Sequence, residues 1–332
     1  MTVSTGARLH FGFANLSPAH ERLYGSVGVA LEDPRVTVSA SRASSISCPD
    51  ELDSHVRRAV ARLDVPGAHV AAVETLPRHV GLGSGTATAL AVFAAVARAY
   101  GRDPGVRAHA PHLGRGRRSG VGVAAFEGGG FVLDAGRPTA ACDPGRSEPE
   151  SWTVPPVIAR RAIPDDWRFV LVVPAADPGR SGDAEAASMR ATIADAIPTV
   201  ATRIADLVTR RVLPAIESGD VAAFGAAIAA IGRLNGTWYA DEQGGVYRPP
   251  VETIVRTLAD DAVVAGAGQS SWGPAAYGVT TAADADAALD AGDRALERAG
   301  LDGTVRIVGA RNRGAARRDP DPSAIDRRGG LR

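Results

Sequence analysis

A glycine-rich loop that runs straight into an apolar helix, LPRHVGLGSGTATALAVFAAVARAYG, is the feature that most constrains this fold. Its glycines permit positive φ angles and close approach of a ligand to the backbone, and the helix points free N–H groups and its positive dipole end into the loop. We therefore expect the loop to hold an anion; a glycine turn that only caps the helix is the alternative. The residues expected to contact the anion are Gly81, Gly83, Ser84, Gly85 and Thr86.

The chain of 332 residues contains no lysine, so all 37 of its basic residues are arginines. This composition excludes a Schiff-base lysine and the phosphate-binding lysine of a Walker loop. The formal net charge is +0, so no global field attracts nucleic acid or an anionic membrane, and an anion must be recruited by local arginines. The arginine-only, alanine-rich composition is typical of a high-GC genome.

Little in the sequence points to export, to a membrane or to a cysteine site. Cys48 and Cys142 are too few for a disulfide framework or a thiolate metal site. The amino terminus has no basic region followed by an apolar run, and the most apolar segment, 87–97, is about half the roughly 20 residues that cross a bilayer. We expect a cytoplasmic protein that binds neither membrane nor nucleic acid.

Strands and helices alternate along two halves of the chain, which predicts an α+β fold. Strands are expected at 3–9, 27–31, 35–40, 70–75, 130–134, 169–173 and 304–308. Helices are expected at 51–63, 86–100, 183–193, 198–218, 221–233, 250–260 and 282–299. A change in composition predicts a first domain at 1–150 and a second at 151–313, and the polar, Pro/Gly-rich segment 314–332 is expected to be a disordered tail.

Two further glycine-containing segments carry polar side chains. RRSGVGVAAFEGGG is expected to place Arg117, Arg118, Ser119 and Gly120 beside a backbone nest suited to phosphate or carboxylate, with a solvated turn as the alternative. GAGQSSWGP offers hydrogen-bonding and stacking groups that could grip a flat, heteroatom-bearing ring, with a buried and satisfied loop as the alternative. Those groups belong to Gln269, Ser270, Ser271 and Trp272.

Charged residues form two other candidate sites. Arg8 and His10 are two residues apart in a predicted strand and so share a face, although a lone histidine is often structural. The segment DPGRSGDAE could bind a divalent cation or simply cap a helix, and the cap is the favoured interpretation. Its charged residues are Asp177, Arg180, Asp183 and Glu185.

Together and in this order, these motifs resemble the GHMP kinase superfamily: PxxxGLGSG resembles its central phosphate loop, and AGAGQSSWGPAAYGV its C-terminal glycine motif. The set is more closely similar to β-ribofuranosylaminobenzene 5'-phosphate synthases over residues 5–312. The resemblance implies a two-domain, usually dimeric GHMP fold that has abandoned ATP chemistry. Gly85, where the kinases typically carry a second serine, and Val123, where several relatives carry a catalytic aspartate, agree with that departure.

The family implies a reaction in which C1 of 5-phosphoribosyl 1-diphosphate (PRPP) is joined to the carboxylate-bearing carbon of an aromatic acceptor. Carbon dioxide and diphosphate are released, Mg²⁺ arrives with PRPP, and no ATP is expected. The favoured acceptor is 4-amino-pyrazole-3,5-dicarboxylate, in a C-nucleoside antibiotic pathway of the formycin or pyrazofurin type. The alternatives are 4-aminobenzoate or 4-hydroxybenzoate in methanopterin biosynthesis, a small-molecule GHMP kinase, and an inactive ligand-binding protein.

The resemblance also suggests how the candidate residues divide between the two substrates. Arg8 and His10 are expected to be catalytic, one holding an anionic group and the other hydrogen-bonding the ring or a phosphate oxygen. The expected PRPP-binding residues are Gly81, Gly83, Ser84, Gly85, Thr86, Arg115, Arg117, Ser119 and Gly120. The expected acceptor-binding residues are Gln243, Gln269, Ser270, Ser271 and Trp272, and no metal ligand is predicted.

Overall fold

A computed structural model of the protein describes residues 1–142, 152–179 and 182–318, and its fold is organised around two long strands. β1 (Thr2–Asn15) and β2 (Arg22–Arg42) pair antiparallel along most of their lengths. The sequence predicted three short strands here, but the segment EDPR, where a break was expected, stays extended within β2. Register shifts between Gly6 and Arg8 and between His10 and Gly12 are bulges, which re-aim the side chains of β1.

Within the described residues the first sheet has eight strands, ordered β12-β1-β2-β4-β3, with β5 and β6 also paired to β2 and β7 to β5. The additional strands are β3 (Ile46–Ser47), β4 (Ala68–Glu74), β5 (Phe131–Asp134), β6 (Arg137–Pro138), β7 (Val157–Arg161) and β12 (Ala316–Arg318). The expected boundary near residue 150 lies outside the described residues. β7 follows that boundary and β12 lies in the expected tail, yet both pair with strands of the first sheet.

Within the described ranges, four helices accompany the first sheet, and the one that follows the glycine loop packs directly on it. These helices are α1 (Asp53–Leu63), α2 (Ser84–Ala99), α3 (Val106–His109) and α4 (Val121–Gly128). α2 contacts β1, β2, α1 and α4, and most of its residues are buried, which confirms the expectation for this alanine-rich helix. α4 was not predicted, because its eight residues include two glycines and are bounded by Gly120 and Gly129, a pattern typical of a loop.

The second sheet has the order β11-β8-β10-β9, with every neighbouring pair antiparallel. Its strands are β8 (Trp167–Pro174), β9 (Gly266–Gln269), β10 (Ala276–Thr281) and β11 (Gly303–Gly309). The helices of this half are α5 (Gly182–Ala194), α6 (Pro198–Leu207), α7 (Leu213–Ser218), α8 (Val221–Gln243), α9 (Val251–Ala259) and α10 (Ala285–Ala299). β9 was missed because its sequence, GAGQ, carries weak strand propensity, and β10 was also missed, although its sequence, AYGVTT, contains one glycine and several strand-forming residues.

One hydrophobic core continues from the first sheet into the second half. The ring of Phe11 on β1 lies 5.2 Å from that of Tyr277 on β10 and 6.1 Å from that of Phe224 on α8, measured between centroids. Because β1 contacts both halves, residues on its bulged segment can meet loops from each of them. None of the helices in the described part of the chain has the length and apolar character required to cross a membrane.

Candidate active site

The glycine loop between β4 and α2 has the backbone geometry of an anion cradle. Gly81 has φ 93° and Gly83 has φ 78°, conformations that side-chain-bearing residues adopt at a cost. Gly83 caps α2, and its carbonyl accepts hydrogen bonds from the amides of Thr86 and Ala87, both at 3.1 Å. Amides in the first turn of a helix have no acceptor within the helix, so those of Ser84 and Gly85 are available to a ligand.

Arg8 fastens β1 to this loop. Its Nη1 donates a 2.6 Å hydrogen bond to the carbonyl of Gly81, and its backbone N–H donates to the carbonyl of Leu82 at 3.1 Å. Burial lowers the pKa of Arg8 to about 10, against the opposing effect of the Glu185 carboxylate. The guanidinium therefore remains cationic at neutral pH and places a positive charge beside the anion cradle.

His10 lies two residues further along β1 and carries no charge at neutral pH. Burial, with a smaller contribution from Arg8, lowers its pKa to about 3, and its side chain is 4% exposed. Its ring packs edge-on against Phe13 at a centroid distance of 5.0 Å. The neutral imidazole can donate one hydrogen bond and accept another, so it is suited to orient a substrate rather than to neutralise an anion.

Arg115 covers the start of α2 from the other side. A Cβ atom on Gly85 would lie 3.0 Å from Arg115 Nη1, so the glycine leaves room for the guanidinium. Burial lowers the pKa of Arg115, with a further contribution from Arg58. The loop is thus flanked by arginines from β1 and from the segment that precedes α4.

The other residues expected around residue 120 have defined partners. Arg117 lies over the Trp152 ring, with its Cζ atom 4.8 Å from the centroid. Ser119 Oγ accepts a 3.3 Å hydrogen bond from the amide of Val121, and the amide of Gly120 donates to Asp134 Oδ2 at 2.8 Å. These contacts fix the turn that leads from Arg115 into α4.

The C-terminal glycine loop, residues 270–273, packs directly on the phosphate loop. Ser270 Oγ donates to the carbonyl of Gly81 at 2.8 Å and accepts from the amide of His10 at 3.1 Å. A Cβ on Gly81 would lie 2.1 Å from the Ser270 carbonyl oxygen, and one on Gly273 would lie 2.0 Å from the carbonyl carbon of Val80. Ser270 is fully buried, so it joins the two loops and β1 rather than presenting a hydroxyl to a ligand.

A small pocket with a volume of about 50 Å³ opens next to this junction. Aromatic rings and uncharged polar groups dominate its wall: Tyr239 and Trp272 meet edge to face at 4.5 Å, and His10 and Phe13 meet edge to face at 5.0 Å. The lining residues are His10, Phe11, Gly12, Phe13, Gly232, Asn235, Gly236, Tyr239, Gln243, Val246, Tyr247, Gln269, Ser271 and Trp272. Such a wall suits a flat ring with hydrogen-bonding substituents.

The two expected glutamines line this pocket, but their amides also hold loops. Gln269 Nε2 donates to the carbonyl of Ser271 at 2.9 Å and to Gln243 Oε1 at 3.4 Å, and its Oε1 accepts from the amide of Arg248 at 2.9 Å. Gln243 Nε2 donates to the carbonyl of Val246 at 2.9 Å. Both side chains therefore shape the pocket wall through the loops that they connect.

The carboxyl-terminal part of α8 supplies pocket residues that the sequence analysis missed. The run NGTWYADEQ was expected to lie beyond a helix ending at residue 233, but α8 continues to Gln243. Asn235, Tyr239 and Gln243 follow one another at intervals of four, so they share a face of the helix. Asn235 Oδ1 accepts from the amide of Phe13 at 2.7 Å and its Nδ2 donates to the Phe13 carbonyl at 3.0 Å, fixing the bulge of β1.

Asp134 at the end of β5 is a second residue that was missed. Its side chain is 1% exposed and accepts hydrogen bonds from the amides of Gly120 and Gly136. Burial raises the pKa of Asp134 to about 6, against the opposing effect of these hydrogen bonds. Val123, by contrast, has an apolar side chain that is fully buried in the core, so this position supplies no acidic group to the site.

The possible cation site in DPGRSGDAE cannot be assembled from the described residues. Arg180 and the side chain of Asp183 lie outside the description, and Asp177 is exposed. Glu185 lies in the first turn of α5, where its carboxylate pairs with Arg118 Nη1 at 3.3 Å. Among the described residues no group of three or more His, Cys, Asp or Glu side chains is arranged to hold a metal ion.

The two sheets and the paired glycine loops define a protein of the GHMP kinase class. The family models "GHMP kinases N terminal domain" and "GHMP kinases C terminal" match residues 54–130 and 212–298. Mevalonate kinase from L. major in complex with R-mevalonate superposes with a TM-score of 0.67 at 15% identity, covering 95% of this chain and 97% of that one. Mevalonate pyrophosphate decarboxylase from Streptococcus pyogenes gives 0.63 at 12%, with coverages of 94% and 96%. These similarities confirm the predicted α+β, two-domain GHMP fold.

Sequence relatives define the family within that class. The chain is 31% identical to "Beta-ribofuranosylphenol 5'-phosphate synthase" of Methanothermobacter thermautotrophicus, over 95% of this chain and 98% of the relative. It is 30% identical to the protein of the same name from Archaeoglobus fulgidus, with the same two coverages. The chain therefore belongs to the beta-ribofuranosylphenol 5'-phosphate synthase family, which confirms the resemblance seen in its motifs.

Proposed function

We propose that this protein transfers the 5-phosphoribosyl group of PRPP to an aromatic carboxylate. A C1–C bond forms at the carbon that bears the carboxylate, and carbon dioxide and diphosphate leave. One observation carries the proposal: the anion cradle at residues 81–86 and the aromatic pocket meet at β1, where Arg8 bonds the cradle and His10 lines the pocket. A donor bound by its diphosphate and an acceptor held by its ring would thus meet at that junction.

The residues around the cradle suit the departure of diphosphate. Loss of the leaving group transfers negative charge to oxygen atoms, and fixed cations and N–H groups stabilise that charge without reorganising. Arg8 and Arg115 supply the cations, and the first turn of α2 supplies N–H groups. Mg²⁺, which binds phosphate oxygens readily, would arrive with the donor and neutralise part of the same charge.

The pocket suits an acceptor that reacts through its own electron-rich ring. The ring carbon supplies the electron pair of the new C1–C bond, and loss of carbon dioxide returns the pair of the C–CO₂ bond to the ring. No base is needed to remove a ring proton, which agrees with a pocket whose one histidine is held neutral. His10 would orient the ring or its substituent by a hydrogen bond.

For the acceptor we propose 4-amino-pyrazole-3,5-dicarboxylate first, and 4-hydroxybenzoate or 4-aminobenzoate second. The lysine-free composition supports the first, as in a C-nucleoside pathway, whereas the printed name of the archaeal relatives supports a phenol-forming reaction. Both classes present a flat ring, a carboxylate and a polar substituent, which the pocket can contact through aromatic faces and amides.

The test is to incubate the protein with PRPP, Mg²⁺ and each acceptor separately, with ¹³C both at ribose C1 and at the carboxylate-bearing ring carbon of the acceptor, and to examine the products by carbon-13 NMR. The proposal predicts a one-bond coupling between the two labelled carbons with one acceptor. ATP in place of PRPP serves as the matched control for a kinase, and we expect it not to be consumed. An N- or O-linked ribosyl product, or phosphate transfer from ATP, would contradict the proposal.

A further inference from the structure

Residues 152–155, here called the strap, lie against the turn that carries Arg115 and Arg117. The Nε1–H of Trp152 donates a 3.3 Å hydrogen bond to the carbonyl of Arg115. The guanidinium of Arg117 lies over the ring of the same tryptophan, with its Cζ atom 4.8 Å from the centroid, in a cation–π contact. One side chain therefore contacts both arginines, the first at its main chain and the second at its charged group.

The rest of the strap follows the same turn towards α4. A Cβ on Gly116 would lie 2.8 Å from Cγ2 of Val154, and one on Gly120 would lie 2.9 Å from the carbonyl oxygen of Pro155. Val154 is itself buried in the core. The turn fits against the strap because both of these positions lack a side chain, so the two segments are held in one register.

The strap is in turn bound to neighbouring elements. The carbonyl of Pro155 accepts a 2.9 Å hydrogen bond from Arg107 Nη1, and Arg107 pairs with Glu127 of α4 at 2.8 Å. The carbonyl of Pro156, the next residue, accepts a 2.9 Å hydrogen bond from the amide of Ala135, directly after β5. The strap is thus a fixed surface on which the arginine turn can rest.

The position of this turn matters at the anion cradle. A Cβ on Gly85, in the first turn of α2, would lie 3.0 Å from Arg115 Nη1. Arg115 Nε is buried and has no hydrogen-bond partner among the residues that the structure describes. The main chain of the turn must therefore keep the guanidinium beside the cradle, and the carbonyl of that main chain is the group that Trp152 binds.

We propose that Trp152 is a positioning residue for donor binding, which holds the Arg115 guanidinium where the diphosphate of PRPP enters the cradle. This inference rests on the proposed ribosyl transfer. Trp152 acts through the arginine, whose charge strengthens its hydrogen bonds to phosphate oxygens. The lining of the aromatic pocket comes instead from β1, from α8 and from residues 246, 247, 269, 271 and 272. Loss of Trp152 should therefore affect the donor and spare the acceptor.

The test titrates PRPP and, separately, inorganic diphosphate with Mg²⁺ into four variants by calorimetry: Trp152→Ala, Trp152→Phe, Arg115→Ala and the double variant Trp152→Ala/Arg115→Ala. Thermal unfolding establishes that each is folded. We expect Trp152→Ala to raise both Kd values about tenfold, as for one lost charge-assisted hydrogen bond. Trp152→Phe keeps a ring beneath Arg117 but lacks the N–H donor, so it should raise them about threefold, and it carries the test if Trp152→Ala does not fold.

The double variant decides whether Trp152 acts through Arg115. It should bind PRPP no more weakly than Arg115→Ala alone, because the arginine that Trp152 positions is already absent. The matched control is Ile158→Ala, which shortens an apolar side chain on β7 that is 63% exposed, and its Kd values should equal those of the wild type. The KM of the acceptor should stay within about twofold in both Trp152 variants, which a general loss of structure would not allow.

Three results would overturn the inference: unchanged Kd values in the Trp152 variants, a further loss of affinity when Trp152→Ala is added to Arg115→Ala, or an acceptor KM that rises in parallel with the Kd of PRPP. Failure of the proposed function gives a different result. In that case the wild-type protein would bind diphosphate in the cradle but form no C-linked product with any acceptor.

Discussion

The guanidinium of Arg115 approaches Gly85 so closely that a Cβ at position 85 would lie 3.0 Å from Arg115 Nη1. Gly85 therefore does more than replace the serine that the kinases typically carry at this position, because its lack of a side chain lets a cation approach the first turn of α2. The arginine then stands where an anion bound by the helix amides would meet it.

We predict that Gly85→Ala raises the Kd of PRPP at least about tenfold, because the methyl group displaces the Arg115 guanidinium and one lost charge-assisted hydrogen bond contributes about 1.5 kcal/mol or more. Gly85 is helical, so the same change should not lower the free energy of unfolding. Calorimetric titration checks the affinity. Gly309→Ala is the matched control, since its added methyl group meets no atom within 4 Å. Unchanged affinity in Gly85→Ala would show that Arg115 does not contact the donor.

A second prediction separates the two substrates. Ser84→Ala should weaken PRPP binding, since the hydroxyl lies at the start of α2 within the cradle. Gln269→Ala should raise the KM of the acceptor more than it changes the Kd of PRPP, because its amide supports the Ser271 and Arg248 segments of the pocket wall. Equal effects of both changes on PRPP binding would contradict this division of the site.

A third prediction concerns the bulge of β1. Asn235→Ala removes both hydrogen bonds to the backbone of Phe13 and leaves a buried N–H and carbonyl without their partner. Each such group costs about 1–3 kcal/mol, so we expect the free energy of unfolding to fall by at least about 2 kcal/mol. Urea unfolding measures the change. Thr237→Ala on the exposed side of α8 should cost far less, and comparable losses in the two variants would contradict the role given to Asn235.

Acid should destabilise the protein through its buried histidines. Burial lowers the pKa of His10 from 6.5 to about 3 and that of His55 from 6.5 to about 4. The unfolded chain therefore takes up protons near pH 6.5 while the native state does not, and stability falls as the pH drops from 6.5 towards 4. Asp134 acts in the opposite direction, because its pKa is raised from 3.8 to about 6 and its contribution is lost as the pH rises through 6.

This pH dependence is measured by urea unfolding between pH 4.5 and 7.5. Burial also lowers the pKa of His109, so three histidines stand against one carboxyl group; we therefore expect a net loss of stability on acidification, and His10→Gln should make the curve shallower. A steeper curve in His10→Gln would contradict the assignment of a neutral, buried His10.

The sequence predicts the parts of the site that depend on local backbone chemistry. The glycine loop with its following helix, and the pairing of Arg8 with His10 on one strand, could be predicted because glycine content and strand alternation constrain a short segment. Asn235 and Tyr239 could not be predicted as site residues. They lie in a polar run that was interpreted as a loop, whereas in the structure they continue the helical period of α8. Asp134 was missed because its role is to accept hydrogen bonds from the amides of Gly120 and Gly136. Only the folded turn brings these amides to its carboxylate.

The stoichiometry of a single turnover tests the central claim most directly. The acceptor carries ¹⁴C in its reacting carboxyl group, and the protein is present in excess over it. After PRPP and Mg²⁺ are added, the amounts of carbon dioxide, diphosphate and C-ribosylated product are measured together. Our account predicts that the three form in equal amounts, at the same rate, with the preferred acceptor. Diphosphate released without labelled carbon dioxide and without a C-linked product would contradict it.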